Sequence, residues 1–230
     1  MAQLADQPDT TTRSDPSIKC PTLHHYGIWT TQPGEILDWY AKVVGLEINL
    51  ASQTGYGTRD GLGSSRADVD PNTPVGIWAS NDSQNHRIAI TRTPGMEKED
   101  SSKTITHDRV GHTAWEYPTL SDLLESYERI RDLDIHPVLC AHHGVSVAFY
   151  YRDPDGNVVE LLADPFGDAS RSREYMRTSD AMRANTMGTY IDPEQMLALH
   201  KAGASADDLQ TRAFAGEFIP DVLPSPVVLF

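Results

Sequence analysis

Apolar residues return at helical spacing in two separate stretches. Ile36, Leu37, Tyr40, Val43 and Val44 form one set, closed by Gly45, a natural stop. Leu120, Leu123, Leu124, Tyr127 and Ile130 form the other, opened by Thr119 and Asp122 in capping-box order. Short β-rich runs precede each helix, at Tyr26–Thr30 and Thr113–Tyr117. More strands follow each. Val75–Ala79 and His86–Thr91 flank the turn-rich NDSQN, and Val145–Tyr151 and Asn157–Leu162 flank DPDG.

The two halves also align without a gap. HYGIWTTQPGEILDWYAKVVGLEI lies over HTAWEYPTLSDLLESYERIRDLDI, so that His25 meets His112, Leu37 meets Leu124, Tyr40 meets Tyr127, Leu46 meets Leu133 and Ile48 meets Ile135. The pattern predicts a duplicated unit of strand, helix and strands, with the two copies facing one shared cleft. Residues 1–18 are polar and aperiodic and read as a disordered tail. Residues 19–100 hold the first unit, 101–165 the second, and 166–230 a helical arm. In the arm, Asp192-Pro193 opens one helix ending at Gly203, and Ser205 with Asp208 caps another ending at Gly216. Arg171 to about Asn185 reads as a further helix. The closing FIPDVLPSPVVLF is apolar and proline-rich, so it is expected to pack on the body or on a neighbouring subunit, which makes a homo-oligomer the expected state.

The chain has 230 residues, 39% of them hydrophobic, enough for a sizeable core. Its net charge of −14 argues against binding duplex nucleic acid or anionic membranes. No apolar run reaches the length of a membrane span, the N-terminus is not a secretory signal, and only Cys20 and Cys140 are present. A reduced, cytoplasmic protein is the simplest reading.

Candidate chemistry begins with the repeat. His25 and His112 hold the same place in both units, and two-fold packing would bring both imidazoles to one cleft. Glu160 interrupts the apolar strand VVELL; it either serves a functional interior or faces outward on a half-exposed strand. Two histidines and one carboxylate make the facial triad of non-haem Fe(II) sites, which leaves positions open for substrate and O2. His24 rivals His25, but alternation along a strand admits only one of them to the cleft, and the repeat register selects His25. His107 rivals His112 less well, since it lies in a polar linker.

HHYGIWT, GHTAWEY and FYYRDPDGNVVELL resemble the vicinal oxygen chelate superfamily over about residues 20–165, and within it the type I extradiol catechol dioxygenases. That resemblance implies an α+β fold of two βαβββ modules around a metal cleft, here with a C-terminal helical extension. It implies His25, His112 and Glu160 as ligands of Fe(II), with Mn(II) as the other candidate ion. His86 matches the family's acid–base histidine and Tyr150 its active-site tyrosine. A further active-site histidine falls on His142 or His143, with His143 preferred. The partners implied are a small aromatic diol and O2. Two departures stand out: the extra N-terminal module pair of many relatives is missing, and residues 55–74 and 94–107 look reshaped. A metal-dependent isomerase, epimerase or glyoxalase of the same superfamily is the first alternative, and a non-catalytic small-molecule binder the second. The first unit's HRIAIT has no Glu or Gln to supply a further ligand, which favours the dioxygenase.

Overall fold

A computed structural model describes residues 22–52, 72, 74–98 and 110–224 of the protein. The tail reading for residues 1–18, the rival His107 and the last residues of the apolar C-terminal run lie outside those described. The first module runs β1 (Tyr26–Trp29), α1 (Pro33–Val44), β2 (Glu47–Ala51), β3 (Val75–Ser80) and β4 (Ile88–Arg92). The second repeats the order as β5 (His112–Tyr117), α2 (Leu120–Arg131), β6 (Leu139–His142), β7 (Val147–Arg152) and β8 (Val158–Ala163). Each helix follows from its ends and its stripe. Pro33 sits in the first turn of α1, Ile36, Leu37, Tyr40 and Val43 are buried, and Gly45 closes the helix at φ 72°. The Thr119 side chain caps α2, accepting the Asp122 N–H at 3.1 Å.

The strand orders within the modules are β1-β4-β3-β2 and β5-β8-β7-β6, and in each module the first strand pairs parallel with the last. This shared ladder extends the repeat beyond the aligned segment. Gly27 pairs with Ala89 where Ala114 pairs with Glu160. The position equivalent to Glu160 in the first module is therefore an alanine, and the duplicated scaffold offers one carboxylate rather than two.

One apolar core joins the halves, since buried residues of α1, α2 and both sheets belong to a single cluster. Polar latches fix the join. The DPDG turn is tied internally by Asp153, whose Oδ1 accepts the N–H groups of Asp155 at 3.0 Å and Asn157 at 2.9 Å. Its Oδ2 receives the Tyr40 hydroxyl of α1 at 3.4 Å, and Gln32 donates to the Pro154 carbonyl at 3.0 Å. Burial of Asp153 raises its pKa. Arg129 of α2 donates to the Lys42 and Val43 carbonyls at the C-terminal end of α1.

The C-terminal arm departs from expectation in three ways. The helix read over residues 171–185 is two helices, α3 (Ala169–Thr178) and α4 (Asp180–Ala184). Ser179 breaks them: its backbone is extended and its hydroxyl accepts the Met182 N–H, so it caps the second helix. The arm is also not purely helical, because β9 (Thr189–Tyr190) pairs with β6 and becomes a fifth strand of the second sheet. Finally, the apolar run beyond the arm packs only in part: Phe218 is buried, whereas Ile219, Val222 and Leu223 are exposed. The helices α5 (Pro193–Lys201) and α6 (Ala206–Phe214) carry the caps read from sequence, Asp192 and Ser205. Among the described residues no helix is long and apolar enough to cross a membrane.

Candidate metal centre and active site

The second sheet sets alternate residues of three strands on one face. Glu160 of β8 lies in register with Ala114 of β5 and Tyr150 of β7. His112, at the start of β5, turns its Nε2 to 3.1 Å from Glu160 Oε2. The Tyr150 hydroxyl lies 2.9 Å from the other carboxylate oxygen, Oε1, and His143 Nε2 lies 3.0 Å from that hydroxyl. His143 Nδ1 is 2.8 Å from the Met187 carbonyl of the arm. Four side chains thus form one connected line from exposed His112 to His143. Glu160 is buried, so the outward-facing alternative for it is excluded. Burial, reinforced by the Glu160 carboxylate, pushes the Tyr150 hydroxyl well above the ordinary range, and it stays protonated as a donor. Beside this line lies an apolar wall of Leu139, Ala141, Ala148 and Val158, with Leu162 and Tyr190 packed against it.

The donor set suits a divalent transition metal. Two ligand atoms each about 2.1 Å from one ion and at right angles to each other stand about 3 Å apart, and the Nε2 to Oε2 separation is 3.1 Å. His112 is about half exposed, which leaves the approach open.

The first module places its histidines differently from the sequence reading. His24, His25 and His86 bring one ring nitrogen each to within 4.8 Å of one another, and this is the one such three-donor group among the described residues. His25 therefore does not join His112 and Glu160 as a compact trio here. His24 and His25 are also not separated by strand alternation, since their Nδ1 atoms lie 3.0 Å apart. The reason is local: β1 begins at Tyr26, so both histidines precede the pleat that would send them to opposite faces. His86 precedes β4 in the same way, and its ring centre lies 4.1 Å from that of His25. Desolvation, then the neighbouring His25 and His24, hold the His86 pKa below its ordinary value.

A cavity of about 250 Å³ runs between β1 and the β5–β8 pair, lined by Tyr26, Trp29, Tyr40, His112, Thr113 and Asn157 among others. Its volume suits a single aromatic ring or several waters. Tyr26 Oη, Thr113 Oγ1 and Trp115 Nε1 are buried without a well-formed hydrogen bond, and all three lie at this seam between the two first strands.

His142 is adjacent in sequence but has another place. Its Nδ1 accepts the Gly144 N–H at 2.9 Å, its ring packs on Phe214, and its Nε2 is buried without a partner. Desolvation first, then His143, bring its pKa down to about 4 from an ordinary 6.5. The unfolded chain therefore takes up a proton that the folded one refuses as pH falls through this window. Stability is full above about pH 6.5 and declines by ~3 kcal/mol toward pH 4 from this residue alone. Urea unfolding of wild type and His142→Gln between pH 7 and pH 4 checks it: the variant loses that part of the slope.

Residues 22–161 match the model of the Glyoxalase/Bleomycin resistance protein/Dioxygenase superfamily. The chain belongs to that superfamily. Among curated proteins, this superfamily member is 32% identical to biphenyl-2,3-diol 1,2-dioxygenase 3 of Rhodococcus globerulus, over 85% of the chain and 90% of the relative. It is 35% identical to biphenyl-2,3-diol 1,2-dioxygenase 2 of the same organism, over 90% of the chain and 96% of the relative. Both alignments reach past the two modules into the arm. The dioxygenase superfamily fold thus accounts for the paired sheets, while the sequence reading missed what the arm adds to the site. A backbone carbonyl such as that of Met187 has no residue-type signature, and a two-residue strand has no period.

Proposed function

We propose that the protein is an extradiol dioxygenase that opens the ring of an aromatic vicinal diol with O2 at a mononuclear Fe(II) centre. The observation that carries this reading is the line His112–Glu160–Tyr150–His143 beside an apolar wall. It gains support from relatives of nearly full length that are biphenyl-2,3-diol dioxygenases. His112 and Glu160 are assigned as two ligands and His25 as the third. His25 is exposed, and among the described residues its ring contacts are those with His24 and His86, so little there resists its reorientation. Alanine at position 89, where the repeat would place a second carboxylate, argues against the more fully ligated sites of the non-redox alternatives.

Bound Fe(II) supplies the one-electron chemistry that lets a diol react with O2. Both oxygen atoms enter the product, the carbon–carbon bond beside the hydroxyls breaks, and no external reductant is consumed. The chain does the rest. His86, its pKa held below the ordinary value by desolvation and by His25 and His24, accepts a phenolic proton and returns it as the ring opens. Tyr150 holds its hydroxyl toward Glu160 and toward the substrate oxygen beside it. Leu139, Ala141, Ala148 and Val158 exclude water and orient the ring. The enzyme is taken to be cytoplasmic and homo-oligomeric.

The test is direct. Protein loaded anaerobically with Fe(II) is mixed in air with a panel of catechols that includes biphenyl-2,3-diol, and a yellow ring-opened product with matching O2 uptake is expected. Colourless mixtures across the panel at full iron occupancy would move the protein to the isomerase and glyoxalase side of the superfamily. Within the positive outcome, His86→Ala keeps its iron and loses ~10²–10⁴ in kcat. Normal turnover in that variant removes the acid–base role from His86.

A further inference from the structure

Where the arm meets His143 of the active site, what it brings is a backbone carbonyl. Met187 O lies 2.8 Å from His143 Nδ1. A carbonyl oxygen has no proton to give, so Nδ1 must be the donor. In a neutral imidazole the other nitrogen is then bare. That nitrogen, Nε2, is the one 3.0 Å from the Tyr150 hydroxyl. An unrestrained imidazole in water prefers the opposite tautomer, with its proton on Nε2, which would meet Tyr150 as a donor. We propose that residues 185–188 of the C-terminal arm are a positioning element of the active site: the Met187 carbonyl locks His143 with its proton on Nδ1, so that Nε2 faces Tyr150 as a proton acceptor.

The local construction supports a built contact rather than a chance one. Asn185 clamps the turn from both sides, its Nδ2 donating to the Gly188 carbonyl at 2.9 Å and its Oδ1 accepting the Gly188 N–H at 3.0 Å. Gly188 has φ 79°, and a Cβ there would sit 1.9 Å from the His142 carbonyl oxygen and 2.8 Å from His143 Cα. Only glycine lets the arm's backbone lie directly on the backbone that carries His143. Just beyond, Thr189 pairs with His142 and Tyr190 with Ala141 in the β9–β6 ladder, and the Ile191 N–H donates to the Cys140 carbonyl at 3.0 Å. The His143 backbone is held in turn by its own N–H to the Ser146 carbonyl at 2.8 Å. Met187 and His143 therefore stand two residues and one residue from the β9–β6 ladder.

The consequence is a proton route with a defined sense. Tyr150 has one proton and two acceptors, Glu160 Oε1 at 2.9 Å and His143 Nε2 at 3.0 Å. With Nε2 bare, the Tyr150 proton can swing from Glu160 to His143 while nothing else moves. A proton leaving a substrate oxygen beside Tyr150 then has a place to go. With the other tautomer, that route is closed at its last step. Asn185 and Gly188 touch no reacting atom; they act through His143.

The tautomer is read directly by two-bond ¹H–¹⁵N correlation spectra of the ¹⁵N-histidine-labelled full chain, with and without diamagnetic Zn(II), with His143→Gln identifying the resonance. Wild type is expected to show His143 protonated on Nδ1. Gly188→Ala and Asn185→Ala should each move part of the population to Nε2. In the iron-loaded protein they should lower kcat by ~10-fold with KM changed less than about threefold. Asn185→Asp, which keeps the acceptor for the Gly188 N–H, should restore most of the wild-type tautomer. Wild type protonated on Nε2, or an unchanged tautomer in folded Asn185→Ala and Gly188→Ala, overturns the proposal. Should Gly188→Ala fail to fold, Asn185→Ala alone decides. The kinetic arm rests on the ring-opening reading. If iron-loaded wild type opens no diol, that reading fails while the spectra still settle the tautomer.

Discussion

His112→Ala leaves the protein folded and without iron. His112 is half exposed and lies at the start of β5, so its removal opens no core cavity, and the melting temperature should stay within a few degrees of wild type. Metal uptake responds quite differently. Outer-shell partners of a metal ligand already carry about 10–100-fold in affinity, so loss of a directly bonded imidazole should exceed ~100-fold. Iron per chain and O2 consumption with a catechol should both fall to background. Glu160→Ala should do the same with a further cost, since Tyr150 is left buried with one partner fewer. His24→Ala is the control and should retain iron. The opposite pattern, with iron kept in His112→Ala and lost in His24→Ala, would place the metal at the three-histidine group of the first module and sink the ligand assignment.

The second module was legible because its key residues lie inside regular strands. Glu160 and Tyr150 sit in β8 and β7, where period two and the DPDG turn fix the register, and the structure pairs them directly. Both helices were legible from spacing and end signals, down to the Thr119 cap. Reasoning from alternation failed at His24 and His25 because strand geometry begins one residue later, at Tyr26. The single helix read over residues 171–185 failed for another reason, since helical composition persists through Ser179 although that side chain caps a new helix. The arm's contact with His143 had no sequence signal at all, since one partner is a carbonyl that every residue carries. What could have drawn attention to the segment is the pair Asn185 and Gly188, turn-forming residues three apart just after a helical stretch.

Truncation after Pro165 should give insoluble or inactive protein. The arm contributes Ile191, Met196, Leu197, Leu209 and Phe218 to the main buried cluster. At ~1.5–3 kcal/mol for each buried large side chain, these five residues account for ~7–15 kcal/mol, the same size as the whole stability of an ordinary domain. Removal also uncovers α2, where Glu194 accepts the Tyr127 hydroxyl at 2.7 Å and pairs with Arg131. It leaves β6, an apolar strand of buried residues, as a bare sheet edge, which invites aggregation. The small fraction that stays soluble would lack the Met187 carbonyl against His143. Soluble yield, far-ultraviolet circular dichroism and O2 uptake of the truncated chain measure the two effects separately. A soluble truncate with wild-type kcat would show that the modules need the arm neither for folding nor for chemistry. A soluble, metal-binding but slow one would confine the arm's part to the site.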